Sequence, residues 1–303
     1  MEQQHNDFYG PSGSLGIVTY NAHGLNTGRS YLIDLCNDPS IFIIAIQEHW
    51  LTPFNLSILN NVHPDFMGHG ISGMSDRMSS GVFKGRPYGG VGFLWRRSIA
   101  AHVEITQGSV DGRCLCMSLN LNDGSKVKLI TVYFPCFDAG TTYMNDLSNC
   151  FGFLENSIQS GEKVIILGDM NFTCDETHKS FKLCCDVFNP LSISNCDALC
   201  SSADRFTYYN SSLGHSSFID HFFVSDSVRH LIQSMVIADS GANLSDHRAI
   251  IGYFRLYNLV CSPTLVKTQK ANAVPPAWRW DKACPTSACI MRLLHRPYHQ
   301  FHP

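Results

Sequence analysis

Short, almost purely apolar segments that end abruptly in polar residues recur along this chain. The most distinct covers residues 164–167 and is followed by Gly168-Asp169-Met170-Asn171. Four consecutive apolar residues are typical of a strand that is covered on both faces. Because side chains alternate along extended backbone, Asp169 and Asn171 are predicted to point the same way where this strand ends. Ligands often gather at such strand ends, although aspartate and asparagine are also common turn formers.

Other segments of strand length share this pattern and alternate with segments of helical spacing. The predicted strands cover residues 15–20, 41–46, 91–95, 115–121, 127–133, 221–224 and 249–254. A helix is predicted around residues 31–35, with Asn26 or Thr27 as its cap, and another across residues 143–154. This order of strands and helices indicates an α/β fold.

Length and composition indicate one large folded region with less regular parts. The chain has 303 residues, and 44% of them are hydrophobic, which is enough for a sizeable core. We expect a flexible lead-in over residues 1–14, one domain over residues 15–256, and a basic, proline-containing linker or truncated tail over residues 257–303, which is expected to be disordered. Within the domain, residues 64–90 are predicted to form a long loop, and residues 172–217 are expected to be irregular.

Charge and targeting signals narrow the class of protein. Residues 256–303 carry six basic side chains and one acidic side chain, whereas the first 255 residues carry 16 basic and 24 acidic ones. An acidic body argues against broad electrostatic adhesion to nucleic acid and suits a carboxylate cluster that a divalent cation would partly neutralise. No apolar run approaches the roughly 18 residues of a membrane span, and no signal peptide is recognisable, so we expect an intracellular protein without a membrane partner. The 13 scattered cysteines are expected to be free thiols.

The polar side chains at the predicted strand ends suit metal-assisted hydrolysis of a phosphodiester. They are Asn21, Glu48, Tyr133, Asp169, Asn171, Asp220, Asp246 and His247. Mg²⁺ prefers carboxylate and carbonyl oxygens, so Glu48, Asp246 and Asn21 are the predicted metal ligands. Asp169 is predicted to orient or deprotonate the attacking water, with Asn171 holding that water or a phosphate oxygen. A pair of His247 with Asp220 would hold an imidazolium against the phosphate.

The chain resembles the endonuclease/exonuclease/phosphatase superfamily over roughly residues 15–255. The resemblance rests on Asn21, Gln47-Glu48, Tyr133-x-Pro135, Gly168-Asp169-x-Asn171, Ser217-x-Ile219-Asp220 and Ser245-Asp246-His247, which occur in the order of the superfamily. It implies a four-layer α/β sandwich, in which two mixed β-sheets lie face to face with helices outside. It also implies a site for Mg²⁺, or alternatively Mn²⁺, at one edge of the sandwich. Tyrosine at position 133 is typical of AP endonucleases and retrotransposon nucleases, which favours DNA as the substrate.

Finer motifs resemble the N-terminal endonuclease domain of LINE-type (non-LTR) retrotransposon polyproteins. They are Gln47-Glu48-His49-Trp50-Leu51, Gly89-Gly90-Val91-Gly92, Ser216-Ser217-x-Ile219-Asp220 and, in the linker, Trp278-Arg279-Trp280-Asp281-Lys282. Such a nuclease nicks one strand of double-stranded target DNA and leaves a 3′-hydroxyl that primes reverse transcription. The resemblance therefore implies a nuclear site of action, a reverse transcriptase domain further along the parent polyprotein, and element RNA as an indirect partner.

Some assignments remain open at this level. Arg86, Arg96, Arg97 and Ser217 are predicted to contact the DNA, although a loop arginine is usually just solvated. His23 and His49 are assigned to packing or to the surface. One alternative function is a phosphatase or phosphodiesterase acting on a lipid or small phosphoester, against which Tyr133 argues. The other is a non-catalytic DNA-binding relative, which would have lost a ligand or base, and none is missing here.

Overall fold

Apolar runs of the lengths predicted above form the strands at the centre of the protein. The computed structural model describes residues 11, 13–79, 81, 85–136, 141–202 and 205–260. The strands are β1 (Leu15–Asn21), β2 (Ile41–Gln47), β3 (Phe66–Ile71), β4 (Val91–Arg96), β5 (Val103–Gly108), β6 (Cys114–Asn120), β7 (Lys126–Tyr133), β8 (Lys163–Asp169), β9 (Ile193–Asn195), β10 (Tyr208–Asn210), β11 (His215–Ser217), β12 (Asp220–Ser225), β13 (Ile232–Ala238) and β14 (Ala249–Phe254). The helices are α1 (Leu25–Asn37), α2 (Ser75–Ser79), α3 (Thr141–Ser157), α4 (Lys179–Phe188), α5 (Asp226–Arg229) and α6 (Tyr257–Val260).

The strands form two mixed sheets of six strands each. The first has the order β13-β14-β1-β2-β4-β3 and the second has the order β5-β6-β7-β8-β12-β9. Each sheet contains one parallel pair, β1 with β2 and β7 with β8, and the remaining neighbours are antiparallel. Helix α1 connects the first parallel pair and α3 connects the second. Strands β10 and β11 form a separate two-stranded hairpin.

Alternate side chains of the central strands enter different cores, which explains their uninterrupted apolar sequences. Ile17 of β1 packs in a cluster that also contains Leu129 and Leu167 of the second sheet, so this cluster fills the space between the sheets. The neighbouring Val18 packs instead with residues of α1. On the other side, Ile166 of β8 packs with residues of α3 and α4. The predicted four-layer sandwich of two mixed β-sheets flanked by helices is confirmed.

The structure corrects several local predictions. The region predicted as a loop over residues 64–90 contains β3 and α2, and the region expected to be irregular over residues 172–217 contains α4, β9, β10 and β11. Strand β3 escaped detection because it carries two glycines, of which Gly68 lies so close to the Leu59 carbonyl that a Cβ atom would approach it to 2.6 Å. Helix α1 begins at Leu25 after Gly24 and has no side-chain cap, so neither Asn26 nor Thr27 caps it.

The predicted terminal segments lie largely outside the described residues. Within the predicted lead-in, Ser14 is buried and its hydroxyl donates to the Pro11 carbonyl. After β14, the short helix α6 follows, and Val260 packs in the core between the sheets. The rest of the predicted linker, including the Trp278–Lys282 motif, is outside the described residues. In the part of the chain that is described, no helix has both the length and the apolar character needed to cross a membrane.

Candidate active site

The side chain of Asn21 joins the two sheets at the edge where their parallel strands end. Asn21 and Asp169 are the last residues of β1 and β8. The Nδ2 group of Asn21 donates to Glu48 Oε1 and to Asp169 Oδ2, each at 2.9 Å. Its Oδ1 atom accepts the His23 amide at 3.0 Å. Asn21 therefore presents its amide nitrogen to the carboxylates, which orients Glu48, and its role as a metal ligand stays a prediction.

The backbone around Glu48 is held in conformations that non-glycine residues seldom adopt. Four site residues have positive φ values: His23 (45°), Glu48 (52°), Trp50 (55°) and Asn171 (52°). Such values persist only where the surrounding structure enforces them, and they concentrate at functional sites. Here the enforcement includes a hydrogen bond of 3.0 Å from Trp50 Nε1 to Glu48 Oε2. Together with the bond from Asn21, this fixes both oxygens of the Glu48 carboxylate.

Asp246 reaches the same region from the loop before β14. Its Oδ1 atom lies 2.8 Å from Nδ1 of His23, which sequence reasoning had assigned to packing or to the surface. The hydrogen bond to Asp246 raises the pKa of His23. Glu48 and Asp246 provide hard carboxylate oxygens, and this donor set fits Mg²⁺ or Mn²⁺.

Asp169 and Asn171 lie in a tight turn at the end of β8. Asp169 is buried, and its Oδ1 atom accepts the Asn171 amide at 2.9 Å. Burial and the nearby charge of Asp220 raise the pKa of Asp169 to about 7. The Asn171 side chain donates through Nδ2 to the Phe134 carbonyl at 2.8 Å. A carboxyl group that titrates near neutrality is suited to proton transfer at physiological pH.

His247 and Asp220 form the predicted pair next to Asp169. His247 Nδ1 lies 2.8 Å from Asp220 Oδ2, and His247 Nε2 lies 3.8 Å from Asp169 Oδ2. Burial lowers the pKa of His247, but the carboxylates of Asp220 and Asp169 outweigh it and raise the pKa to about 10. The imidazole is therefore a cation at neutral pH, with Nε2 directed towards the Asp169 side of the site.

Thr207 fixes Asp220 from behind, which the sequence patterns did not reveal. Its Oγ1 atom accepts the backbone amides of both Ile219 and Asp220, each at 3.1 Å. Among the described residues, Asp220 Oδ1 is buried without a hydrogen-bond partner. The position of Asp220 thus depends on its backbone anchors and on His247.

Tyr133 pairs with Asp169 across the second sheet and lies at the rim of the site. Burial and the charges of Glu48 and Asp169 raise its pKa, so the hydroxyl stays protonated and can donate. The guanidinium of Arg113 lies 5.5 Å from the centre of the Tyr133 ring. Arg113 also pairs with Asp146 at 3.5 Å and was missed in the sequence because it follows no strand end.

The four residues predicted to contact DNA are placed in different parts of the protein. Arg86 stacks 5.0 Å over the Trp50 ring and is therefore close to Glu48. Ser217 ends the β10–β11 hairpin, three positions before Asp220. Arg96 and Arg97 lie at the opposite end of β4 from Val91, which pairs with Gln47 near the site.

The side chains of Arg96 and Arg97 are occupied by the fold. Arg96 donates to the carbonyls of Ile41, Cys36 and Asp38, and Arg97 donates to the Pro64 carbonyl. Arg96 is held by three carbonyls and Arg97 is exposed with one such contact, and both lie at the end of β4 away from the site, so the proposed function does not use their predicted DNA contacts.

A groove of about 460 Å³ lies beside His247 and extends the site along the surface. Its walls include Phe206, Tyr209, Leu244, Asp246 and Arg248. Arg248 stacks 3.8 Å over the Phe206 ring, whereas Tyr209 and Leu244 are exposed. Exposed aromatic and apolar side chains next to a catalytic centre are suited to contact bases or deoxyribose.

Comparison with known proteins places these observations in a family. The Endonuclease/Exonuclease/phosphatase family matches residues 18–247. An AP endonuclease from Leishmania major is similar in structure, with a TM-score of 0.65 and 14% identity over 84% of this chain and 92% of its own. The 3′ phosphatase NExo from Neisseria, solved with a product DNA hairpin, has a TM-score of 0.59 and 16% identity. The match covers 79% of this chain and 99% of the Neisseria protein. The endonuclease domain of TRAS1, a telomere-specific non-LTR retrotransposon, has a TM-score of 0.57 and 13% identity. The match covers 80% of this chain and 99% of that domain.

No curated protein matches the sequence significantly. The structural similarities, all at low identity, establish the DNase I-like fold, and the family match covers the whole region from β1 to the Asp246-His247 motif. The chain belongs to the Endonuclease/Exonuclease/phosphatase family.

Proposed function

We propose that this protein is a Mg²⁺-dependent DNA endonuclease that nicks target DNA and leaves a 3′-hydroxyl primer for retrotransposon reverse transcription. Membership of the family makes it a nuclease or phosphatase, and the finer assignment is the proposal. The observation that carries it is the double hydrogen bond of Asn21, which holds Glu48 on the metal side and Asp169 on the water side within reach of one phosphate.

Glu48 and Asp246 are the proposed ligands of the cation, with Asn21 fixing Glu48. A bound Mg²⁺ or Mn²⁺ would polarise a phosphoryl oxygen and offset the charge that develops on the departing oxygen. Asp169 orients the attacking water and accepts its proton, for which a pKa near 7 is suitable. The attack forms the bond from the water oxygen to phosphorus and breaks the bond between phosphorus and the 3′ oxygen, which leaves as an oxyanion and takes a proton from solvent to become the 3′-hydroxyl.

The remaining residues bind the phosphate as its negative charge grows. The His247 imidazolium, held by Asp220, presents Nε2–H as a charged donor. Asn171 uses one Nδ2 proton for the Phe134 carbonyl and keeps the second for a phosphate oxygen or the water. Tyr133 contributes a protonated hydroxyl at the rim.

DNA is the proposed substrate because the surroundings of the site suit a polymer. The groove beside His247 and the Arg86–Trp50 stack next to Glu48 together offer more recognition surface than a small phosphoester needs. The similar proteins from Leishmania and Neisseria and the TRAS1 domain are named as DNA-processing enzymes. By the LINE-type resemblance, double-stranded DNA in the nucleus is the target, and a reverse transcriptase domain and element RNA are the associated partners.

A plasmid assay tests this proposal. The full chain with Mg²⁺ is expected to convert supercoiled plasmid to the nicked circle, and a DNA polymerase should extend the nick without prior end treatment because a 3′-hydroxyl is present. Glu48→Ala and Asp169→Asn should each lower the rate by at least about 100-fold. Glu104→Gln, an exposed change on β5, is the control. Nicking that survives both site substitutions would refute the assignment.

The 3′ phosphatase activity named for the Neisseria relative supports one alternative. Release of phosphate from a 3′-phosphorylated oligonucleotide, without plasmid nicking, would favour a phosphatase. An oligonucleotide with an abasic site, used in parallel, separates repair-type cleavage from general nicking. Binding of DNA by folded protein without any cleavage would instead indicate a non-catalytic relative.

A further inference from the structure

His23 contacts Asp246 and two residues, Asn21 and Trp50, that hold Glu48. Its Nδ1 atom lies 2.8 Å from Asp246 Oδ1, and its backbone amide donates to Asn21 Oδ1 at 3.0 Å. Its ring packs against Trp50, with the ring centres 4.9 Å apart. Trp50 in turn donates to Glu48 Oε2 at 3.0 Å. A continuous chain of contacts thus runs from Asp246 through His23 and Trp50 to Glu48.

The local backbone is shaped to make this chain of contacts possible. His23 and Trp50 both have positive φ values, which turn their side chains towards each other. Gly24 lies directly under the indole, where a Cβ atom would approach the Trp50 ring to 2.6 Å. The glycine and the two strained residues therefore act together, and none of them is explained by packing of the hydrophobic core.

The two carboxylates need such support before a cation arrives. Glu48 and Asp246 carry like charges that repel one another and favour rotamers directed into solvent. N–H donors on Asp246 Oδ1 and on both oxygens of Glu48 oppose this movement, and the remaining lone pairs of the two carboxylates stay available for a cation. Groups that orient metal ligands in this way typically change metal affinity about 10- to 100-fold when they are removed.

We propose that His23 is a positioning residue that holds Asp246 directly, and Glu48 through Trp50, in the arrangement that binds the divalent cation. The inference rests on the proposed function, because it takes Glu48 and Asp246 as the ligands. It assigns no proton transfer to His23. The Nδ1–H group holds Asp246 and carries most of the expected effect, whereas the face of the ring supports Trp50.

Binding of Mn²⁺ to the full chain without DNA, followed by electron paramagnetic resonance of the free ion, tests the proposal. His23→Gly relieves the positive φ and removes the ring, and is expected to weaken Mn²⁺ binding about 10- to 100-fold. His23→Asn keeps an N–H donor and tolerates the same backbone conformation, so its affinity should stay within about threefold of the wild type. Trp50→Phe keeps an aromatic ring but loses the donor to Glu48, and is expected to weaken binding by an intermediate factor.

Two controls separate this role from general loss of structure. His63→Asn changes a partly exposed histidine whose ring contacts Asn37 at the C-terminal end of α1, and should bind Mn²⁺ like the wild type. Nicking by His23→Gly should recover as the Mn²⁺ concentration is raised, with little change in the maximal rate, because only the affinity is affected.

The outcomes discriminate clearly. Wild-type affinity in His23→Gly, or equal weakening in His23→Asn and His23→Gly, would overturn the proposal, since either result removes the N–H donor as the cause. Unchanged Mn²⁺ binding in Glu48→Ala would instead refute the metal site of the proposed function. Loss of Mn²⁺ affinity in His23→Gly, with retention in His23→Asn and in His63→Asn, supports the positioning role.

Discussion

The thiol of Cys136 donates a hydrogen bond of 3.1 Å to the side-chain oxygen of Asn171. Since Asn171 Nδ2 donates to the Phe134 carbonyl, both ends of the carboxamide are held by the segment that follows β7. Partial burial of the sulfur and the charges of Asp169 and Glu48 raise the pKa of Cys136 to about 11. The thiol therefore remains protonated at neutral pH and keeps its role as a donor.

Substitutions at Cys136 should reveal how far catalysis depends on the orientation of Asn171. Cys136→Ser preserves a donor and should retain most of the nicking rate. Cys136→Ala removes it and should lower kcat by roughly fivefold, the equivalent of about 1 kcal/mol for one hydrogen bond. Plasmid nicking at saturating Mg²⁺ measures both, with Cys185→Ala on α4 as the control. Equal rates for the alanine and serine variants would contradict this dependence.

The Asp220–His247 pair should matter for rate and not for substrate affinity. Asp220→Asn leaves the side-chain shape but removes the charge that holds the imidazolium, and is expected to lower kcat by about 100-fold or more. KM for DNA should change little, because Asp220 is buried behind His247 and does not face the substrate. Steady-state kinetics on a nicked-product assay give both constants. A rise in KM with an unchanged kcat would show that the pair only binds DNA.

His221 offers a pH test that is separate from catalysis. Its ring nitrogens lie 2.8 Å from Asp197 Oδ2 and 2.7 Å from the Phe172 carbonyl, so only the doubly protonated imidazole satisfies both acceptors. Burial alone would lower the pKa of His221, but the charge of Asp197 and the contact with Cys174 raise it well above its usual value. The folded state therefore binds this proton more tightly than the unfolded state.

The sign of the resulting pH dependence follows from linkage. A histidine whose pKa is raised in the folded state stabilises the protein fully at pH values below its pKa in the unfolded state, about 6.5. This stabilisation is lost as the pH rises through the pKa of the folded state. Asp197→Asn should lower the free energy of unfolding by about 3 kcal/mol at pH 6. This difference from the wild type should shrink as the pH rises. Urea unfolding at several pH values measures this, with the exposed Asp34→Asn on α1 as the control. A difference that grows with pH would contradict a charged His221.

Gly168 and Gly152 provide a matched pair for stability. At Gly168 a Cβ atom would lie 2.0 Å from the Val132 carbonyl oxygen, so Gly168→Ala should cost more than about 2 kcal/mol and distort the turn of Asp169. Gly152 lies in α3, and apart from its chain neighbours and the nearby backbone of that helix no described heavy atom lies within 4 Å of the same position, so Gly152→Ala should stabilise the fold by up to about 1 kcal/mol. Urea unfolding measures both changes. Equal effects would show that the close approach at Gly168 relaxes easily.

Sequence patterns predicted the strand ends of the site because each residue adjoins a run of apolar residues, Asn21 and Asp169 at its end and Asp220 at its beginning. Asn21, Asp169 and Asp220 lie at their sheet edge for that reason. The roles of His23, Trp50 and Cys136 were beyond such patterns, since their contacts depend on positive φ values and on loops that are distant in sequence. The placement of Arg96 was missed because the direction of β4 cannot be inferred from its local composition.

Because the Asn21 side chain bonds to both Glu48 and Asp169, the geometry of the site depends on the distance between the two sheets. Beneath it, Thr19, Gln47 and Thr131 form a second buried link, in which Gln47 of β2 donates to Thr131 of β7 at 2.9 Å. Any change in the core that slides one sheet against the other also separates Glu48 from Asp169. Hydrolysis then becomes a sensitive reporter of sheet alignment, and a variant with intact secondary structure and an unaltered set of site residues can still be inactive.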